Sequence, residues 1–415
     1  MIKVLNKLKG EKLYFYITLL IACTLFIPKY SINSFAIILL VLVWIVKRDY
    51  RYIGNIYKNK QYLVVILFYF SFIIGIFYSK DINEALKILK LRLPILILPL
   101  IYCSINSFSK EQINFFKRSF VVATLVACLY CQSNIILVWL DSGEPLRNVI
   151  SSYKYTYTYL TDFIDLHPTY FSYLIIIALI FLESILRNTL DRFKRVLWVI
   201  LGLYFLFFLI LIASRIAIIG LLIIGILKVV KILKTRSLKK IIIMLIALLT
   251  IIPLMSKFDF AVKRYKQVVN VFVPQKGVVH SSGGFRIYSI RIFQEEFKKA
   301  PVFGVGFGDG QKNLDNHYAK IGFPHMQGLD YHNQYIQTAI ELGLVGLLLM
   351  VLNFTIHFLF SLKRNEKEYL YFLIITMLFL LVENMFIRHK GIVSYSLFNA
   401  LLLFNFYKES KRLNK

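Results

Sequence analysis

"DYHNQYIQTAIELGLVGLLLM" (Asp330–Met350) opens with polar residues and then turns almost wholly apolar. His332 and Asn333 stand side by side ahead of the apolar part, and Glu341 stands alone inside it. The apolar character continues to about residue 361, and roughly 20 mostly apolar residues cross a ~30 Å hydrocarbon core. Further long runs recur at Val196–Ala213 and Ile241–Met255. With 58% of its 415 residues hydrophobic, the chain is too apolar for an ordinary soluble domain. In lipid an open sheet would leave backbone groups unpaired, so helices must do the spanning. The sequence therefore predicts an all-α polytopic membrane protein.

The net charge of +28 raises nucleic acid as a partner, and its distribution argues against one. Basic residues gather at Lys3–Lys12, at Lys47–Lys60, at Arg187–Arg195 and, most densely, at Lys228–Lys240. These clusters fall in alternate loops, which is the positive-inside pattern of a multi-span protein. Attraction to anionic membrane lipids is a by-product.

Length and loop charge give about twelve spans, expected at 13–28, 31–46, 61–78, 91–105, 119–140, 168–185, 195–213, 215–230, 239–256, 331–361, 368–387 and 391–408. The first is read as a retained helix, because no small-residue cleavage site follows Leu13–Ile27. Pro94 and Pro99 predict a kinked or partly re-entrant fourth span. An even count places both termini in the cytoplasm. Two outside loops are long, Asp141–Leu166 and Lys257–Leu329. The expected division is thus a membrane region over 1–256, a loop domain over 257–330, and a second membrane region over 331–415. In the loop, Phe285, Tyr288, Ile292, Phe293 and Phe297 recur at helical spacing and predict an amphipathic helix ended by Pro301. Gly304, Gly306, Gly308 and Gly310 follow as a tight turn.

That turn, "GVGFGDG", lacks the spacing and strand–turn–helix setting of a nucleotide-binding loop. Cys128 and Cys131 spell C-x-x-C inside an apolar helix, where packing explains them better than redox chemistry. His317, His325 and His332 are spaced too widely for a zinc pair on one helix face. No metal and no cofactor are expected.

The arginines carry more. Arg215 interrupts "LFFLILIASRIAIIGLL", and charge within a span is costly. Two readings stand: a tight hairpin whose arginine snorkels to the head groups, or a cation aimed at an interfacial phosphate. Arg291 has Glu295 four residues on, which predicts a helix-surface ion pair. Arg286 follows Gly283–Gly284 with no carboxylate three or four residues on. Glu383 lies in "LFLLVENMFIRHKGIV", just ahead of Arg388, His389 and Lys390, so a local Glu–Arg pair competes with a functional role.

Three stretches in this order resemble the O-antigen ligase and O-antigen polymerase superfamily of bacterial envelope glycosyltransferases. They are "SR" (Ser214–Arg215) opening a span, "FRIYSIRIFQEEFKKAPVFGVGFG" (Phe285–Gly308), and "HNQYIQTAIELGLVG" (His332–Gly346). "HPTYFS" (His167–Ser172) and "ENMFIRHKG" (Glu383–Gly391) also look like stretches of relatives. The resemblance implies a class C glycosyltransferase-like fold of about twelve spans, with a periplasmic loop before the tenth. It implies transfer of a glycan from undecaprenyl pyrophosphate to a sugar hydroxyl of lipid A–core, at the periplasmic face of the inner membrane and without metal. Arg215 and Arg286 would hold the pyrophosphate, and His332 would serve the acceptor or donor site, with a base as one role open to it. Asn333, Glu383, Arg388 and His167 join them as substrate-binding candidates. A polymerase extending lipid-linked repeats and a protein glycosyltransferase share the same donor. A polysaccharide or lipid transporter is the alternative of another class, and would show inverted repeats and midplane charge.

Overall fold

The computed structural model describes residues 10–51, 60–145, 153–233, 282–320 and 322–412, and the side chains of all of these except 10–11, 153, 231–233, 282–287 and 405–412. The described residues are helical with short 3-10 turns and contain no strand. The ninth expected span, 239–256, and the loop up to residue 281 lie outside them. Among the described residues, four helices are long and apolar enough to cross a membrane by length and composition: Lys110–Ser142, Pro168–Asn188, Arg192–Ile212 and Gln334–Arg364. The segments expected at 13–28, 31–46 and 61–78 form shorter apolar helices.

Other expected spans are shorter or interrupted. The segment at 91–105 is split into Ile82–Arg92 and Pro94–Ser104. Pro94 takes the first helical position, where its missing N–H costs nothing. Eleven residues rise only about 16 Å, short of a hydrocarbon core. The segment at 368–387 becomes Lys367–Leu380 followed by a 3-10 turn at Met385–Ile387.

The chain divides into two compact units, Met1–Leu25 with Lys29–Ile113 and Gly284–Lys415, and Phe26–Pro28 with Asn114–Gly283. In the first, His389–Arg412 packs on Pro94–Ser104, and Gln334–Arg364 packs on Lys60–Ile76 and Lys367–Leu380. In the second, Pro168–Asn188 packs on Arg192–Ile212 and Arg215–Leu233.

Within the first unit the Gln334–Arg364 helix is broken. Gly343 adopts φ 64°, ψ −162°, a conformation essentially confined to glycine. A break strands carbonyls on one side and amides on the other. The turn after Pro301 takes up both. Val305 and Gly306 donate to the Ile340 and Glu341 carbonyls (2.9 and 3.2 Å), while Leu344 and Val345 donate to the Pro301 and Val302 carbonyls (2.8 and 3.2 Å). The backbones meet so closely that a Cβ on Gly304 would fall 2.6 Å from Glu341 and Gly343 backbone atoms, and one on Gly343 would fall 2.3 Å from Val302. Irregular backbone at membrane depth is tolerated when protein buries it in this way. Buried Asp309 ties the same turn to the start of the Ile82–Arg92 helix, its carboxylate accepting from the Lys80 and Asp81 amides at 2.7 and 3.2 Å.

Candidate functional site

His332 stands at the polar mouth of the broken helix. Asn333 caps that helix, its side-chain oxygen accepting from the Tyr335 and Ile336 amides at 2.9 and 3.1 Å. His332 itself is left-handed at φ 48°, and its amide donates to Asp330 Oδ1 at 2.7 Å. That turn holds the imidazole beside two carboxylates: Nδ1 lies 3.6 Å from Asp330 Oδ1 and 3.6 Å from Glu383 Oε1. The carboxylates are almost fully buried, while the His332 side chain is 29% exposed. Exposed Arg388 approaches Asp330 Oδ2 at 3.9 Å. Glu383 and Arg388 therefore face the His332 turn, rather than pairing locally with one another as the sequence allowed. Burial pushes the Asp330 carboxyl above its ordinary range; His332 and its amide pull it back, Glu383 adds to the rise, and Arg388 opposes it.

A second tier lies directly beneath. Asn384 Nδ2 donates to Asp330 Oδ1 (3.0 Å) and to Gln337 Oε1 (3.1 Å). Gln337 Nε2 donates to Glu341 Oε1 at 2.7 Å. Glu341, the lone acid of the apolar stretch, forms an ion pair with Arg92, Nη1 to Oε2 at 3.1 Å, with side chains 2% and 0% exposed. Arg92 also donates from Nε to the Phe386 carbonyl at 2.8 Å, and its guanidinium lies beside the stacked Phe72 and Phe307 rings, 4.9 and 4.6 Å from their centroids. Gln334 Oε1 accepts from the Phe386 amide at 2.7 Å, fastening the 383–388 segment over the helix start.

The second unit holds two of the three remaining sequence candidates. His167 caps the Pro168–Asn188 helix, its Nδ1 accepting from the Thr169 amide at 3.3 Å. Ala213 ends the preceding helix in the left-handed region (φ 49°), and Arg215, half-buried, opens the next. A 2.8 Å hydrogen bond joins Ser172 to buried Ser214. "HPTYFS" and "SR" are thus brought together in one unit, just as His332, Asn333, Glu383 and Arg388 are in the other.

Arg286 lies on the Ser282–Lys299 helix, with its side chain outside those described. The expected Arg291–Glu295 pair gives way to other contacts. Arg291 lies over the Tyr288 ring at 5.8 Å, and Glu295 faces His317 Nε2 at 3.5 Å. Sequence reasoning singled out Glu341 but missed Arg92, Asp330, Gln337 and Asn384. Arg92 follows Lys87 and Lys90 in "LKILKLRLP" and reads as one more cation of a basic helix. The signal was Glu341 itself, since a buried acid demands a partner.

No curated protein matches the chain. Residues 200–351 match the family model described as O-antigen ligase. This stretch contains Arg215, Arg286, His332 and Asn333, with His167, Glu383 and Arg388 outside it. The match supports an O-antigen ligase- or polymerase-type function, a glycosyltransferase-like enzyme acting on lipid-linked glycans in a membrane. Over residues 200–351 the chain is therefore similar to the O-antigen ligase family.

Proposed function

We propose that the protein is an O-antigen ligase-like transferase that moves a glycan from undecaprenyl pyrophosphate to a sugar hydroxyl of lipid A–core. The observation that carries this reading is the family match over the stretch holding Arg215, Arg286 and His332, together with the two buried carboxylates beside His332 Nδ1. In the proposed step the acceptor hydroxyl attacks the anomeric carbon, the bond to the pyrophosphate oxygen breaks, and the hydroxyl proton passes to His332. Neutral imidazole accepts such a proton near pH 7. With Nδ1 toward Asp330 and Glu383, Nε2 is the nitrogen assigned to that transfer, and the carboxylates stabilise the imidazolium that forms. Undecaprenyl pyrophosphate departs with negative charge on its phosphate oxygens. Arg215 and Arg286 meet that charge with fixed cations and a bidentate fork. Asn333, Glu383, Arg388 and His167 are assigned to sugar and acceptor binding, and the chemistry needs no metal.

The proposed topology places both termini in the cytoplasm, with a membrane region over 1–256, a periplasmic loop domain over 257–330 and a second membrane region over 331–415. A thiol introduced at Lys276 would then be labelled from outside the inner membrane. The O-antigen profile of a deletion strain tests the reaction. Loss of all core-linked polymer with lipid-linked polymer accumulating fits a ligase. A single repeat capped on the core would instead assign a polymerase.

A further inference from the structure

The polar chain beneath His332 ends in an anion at both ends. Ionised Asp330 and Glu341 only accept hydrogen bonds, so each fixes the amide that faces it. Asp330 requires Asn384 to present Nδ2, and Glu341 requires Gln337 to present Nε2. The remaining contact, Asn384 Nδ2 to Gln337 Oε1 at 3.1 Å, then follows without choice. Arg92 keeps Glu341 anionic in an apolar interior by ion pairing at 3.1 Å, because a buried carboxylate is sustained only by such a partner. We propose that Glu341, charged through Arg92, is a positioning residue that acts through Gln337 and Asn384 to hold the Asp330 carboxylate beside His332. It touches no substrate, and the inference rests on His332 being the centre of the site.

Reversal of one amide shows what the arrangement does. In Glu341→Gln, Arg92 can only donate and so takes the new carbonyl oxygen. The new NH2 group then turns toward Gln337. Gln337 must present its oxygen there and its NH2 to Asn384, and Asn384 must turn its oxygen toward Asp330. Two acceptors now face each other, so Asp330 either swings away or takes a proton. In either case His332 Nδ1 loses a counter-charge, while Glu383 at 3.6 Å and Arg388, which acts on Asp330 at 3.9 Å, stay near it.

The test is the titration of His332 in the full chain in lipid nanodiscs, with histidine labelled for NMR and the His332 signal assigned by its loss in His332→Asn. Neither donor nor acceptor is added, so failure of the transferase reading would leave this result untouched. Glu341→Gln is expected to lower the His332 midpoint by about half a pH unit or more, roughly a threefold loss of proton affinity. Gln337→Leu cuts the same chain in its middle while leaving both Arg92 and Glu341 in place, and should move the midpoint in the same direction. The double variant should shift no further than the larger single one, because both act along one path. An unchanged midpoint in folded Glu341→Gln, or shifts that add fully, would overturn the proposal. Should Glu341→Gln fail to fold, Gln337→Leu decides alone: a lowered midpoint supports the relay and an unchanged one rejects it.

Discussion

His332 is held by a buried polar lattice, whereas Arg215 opens a helix within a mostly apolar stretch of sequence. Around His332, Asp330, Asn384, Gln337, Glu341 and Arg92 are all nearly inaccessible and joined in series. In the sequence around Arg215, Phe208, Leu209, Ile210, Ile212, Ala213, Ser214 and Ala217 are buried, and the Ser172–Ser214 hydrogen bond is a local link between helices. The difference matters because a buried polar group that loses its partner pays its full desolvation cost, while an apolar neighbour can be exchanged for another of like volume at small cost. One region is specified by a few particular pairs. The other is specified mainly by shape, and its chemistry rests on Arg215 itself.

The largest effect is expected at His332. Removing a general base typically costs 10²–10⁴-fold in rate, so His332→Ala should nearly abolish transfer of a defined lipid-linked donor by purified enzyme, with folded protein still recovered. In the wild type, transfer should fall as pH drops through the His332 pKa. Asp330 acts in the same direction: burial raises its pKa, so acid removes its charge sooner than from an ordinary carboxylate. A pH-independent defect in His332 variants would make it a positioning group instead. His317→Ala and His325→Ala should leave transfer near normal.

Next comes the ion pair beneath. Arg92→Leu strands Glu341 in a site where its side chain is 2% exposed, and breaking a buried pair from one side costs about 3–5 kcal/mol. Unfolding in detergent should register that loss. Arg92→Leu with Glu341→Leu should recover much of it, since the orphaned charge is gone. Recovery of stability without recovery of transfer would separate the structural task of the pair from its action on His332.

Arg215 and Arg286 should show the reverse balance. Replacing either by alanine is expected to remove about 1.5–3 kcal/mol of transition-state stabilisation, the worth of a charge-assisted contact to phosphate, with little change in unfolding. Lysine should restore only part, because a point charge cannot replace the planar fork. Normal transfer in both alanine variants would end the pyrophosphate assignment.

Gly343→Ala probes how the loop turn and the broken helix are joined. Its φ/ψ pair costs a residue bearing Cβ about 1–3 kcal/mol, and that Cβ would also meet the Val302 backbone at 2.3 Å. Lower stability accompanied by lower transfer is expected, because the same turn leads back to the helix carrying Arg286. Hydropathy made the positions of the apolar helices readable, and Pro94 announced the break near residue 93. The break at Gly343 was not readable, because glycine also occurs inside unbroken helices and the turn that fills the gap lies some forty residues upstream. Arg92 and Glu341 are 249 residues apart, a separation that periodicity and local spacing cannot bridge. His332, Asn333, Glu383 and Arg388 were legible as motifs. What joins them, Asp330 and Asn384, was not, since single polar residues beside a span look like ordinary loop residues until burial is known.

The smallest effect should come from Ser214→Ala, and it tests the contrast most directly. The Ser172–Ser214 bond is 2.8 Å long and buried, but Ser172 also lies 2.8 Å from the Thr169 carbonyl and keeps that acceptor when Ser214 is lost. No hydroxyl is then orphaned on the Ser172 side, so the loss should stay near the net worth of one neutral hydrogen bond, about 0.5–1.5 kcal/mol. Ser172→Ala with Ser214→Ala should cost less than the sum of the two single changes, because both remove the same bond. Transfer should fall only as far as Arg215, the next residue, shifts with its helix start. A loss of stability as large as that of Arg92→Leu would show that this region too depends on one buried polar pair, and the contrast with the His332 region would fail. A small loss of stability with a large loss of transfer would instead make Ser214 a positioning residue for Arg215.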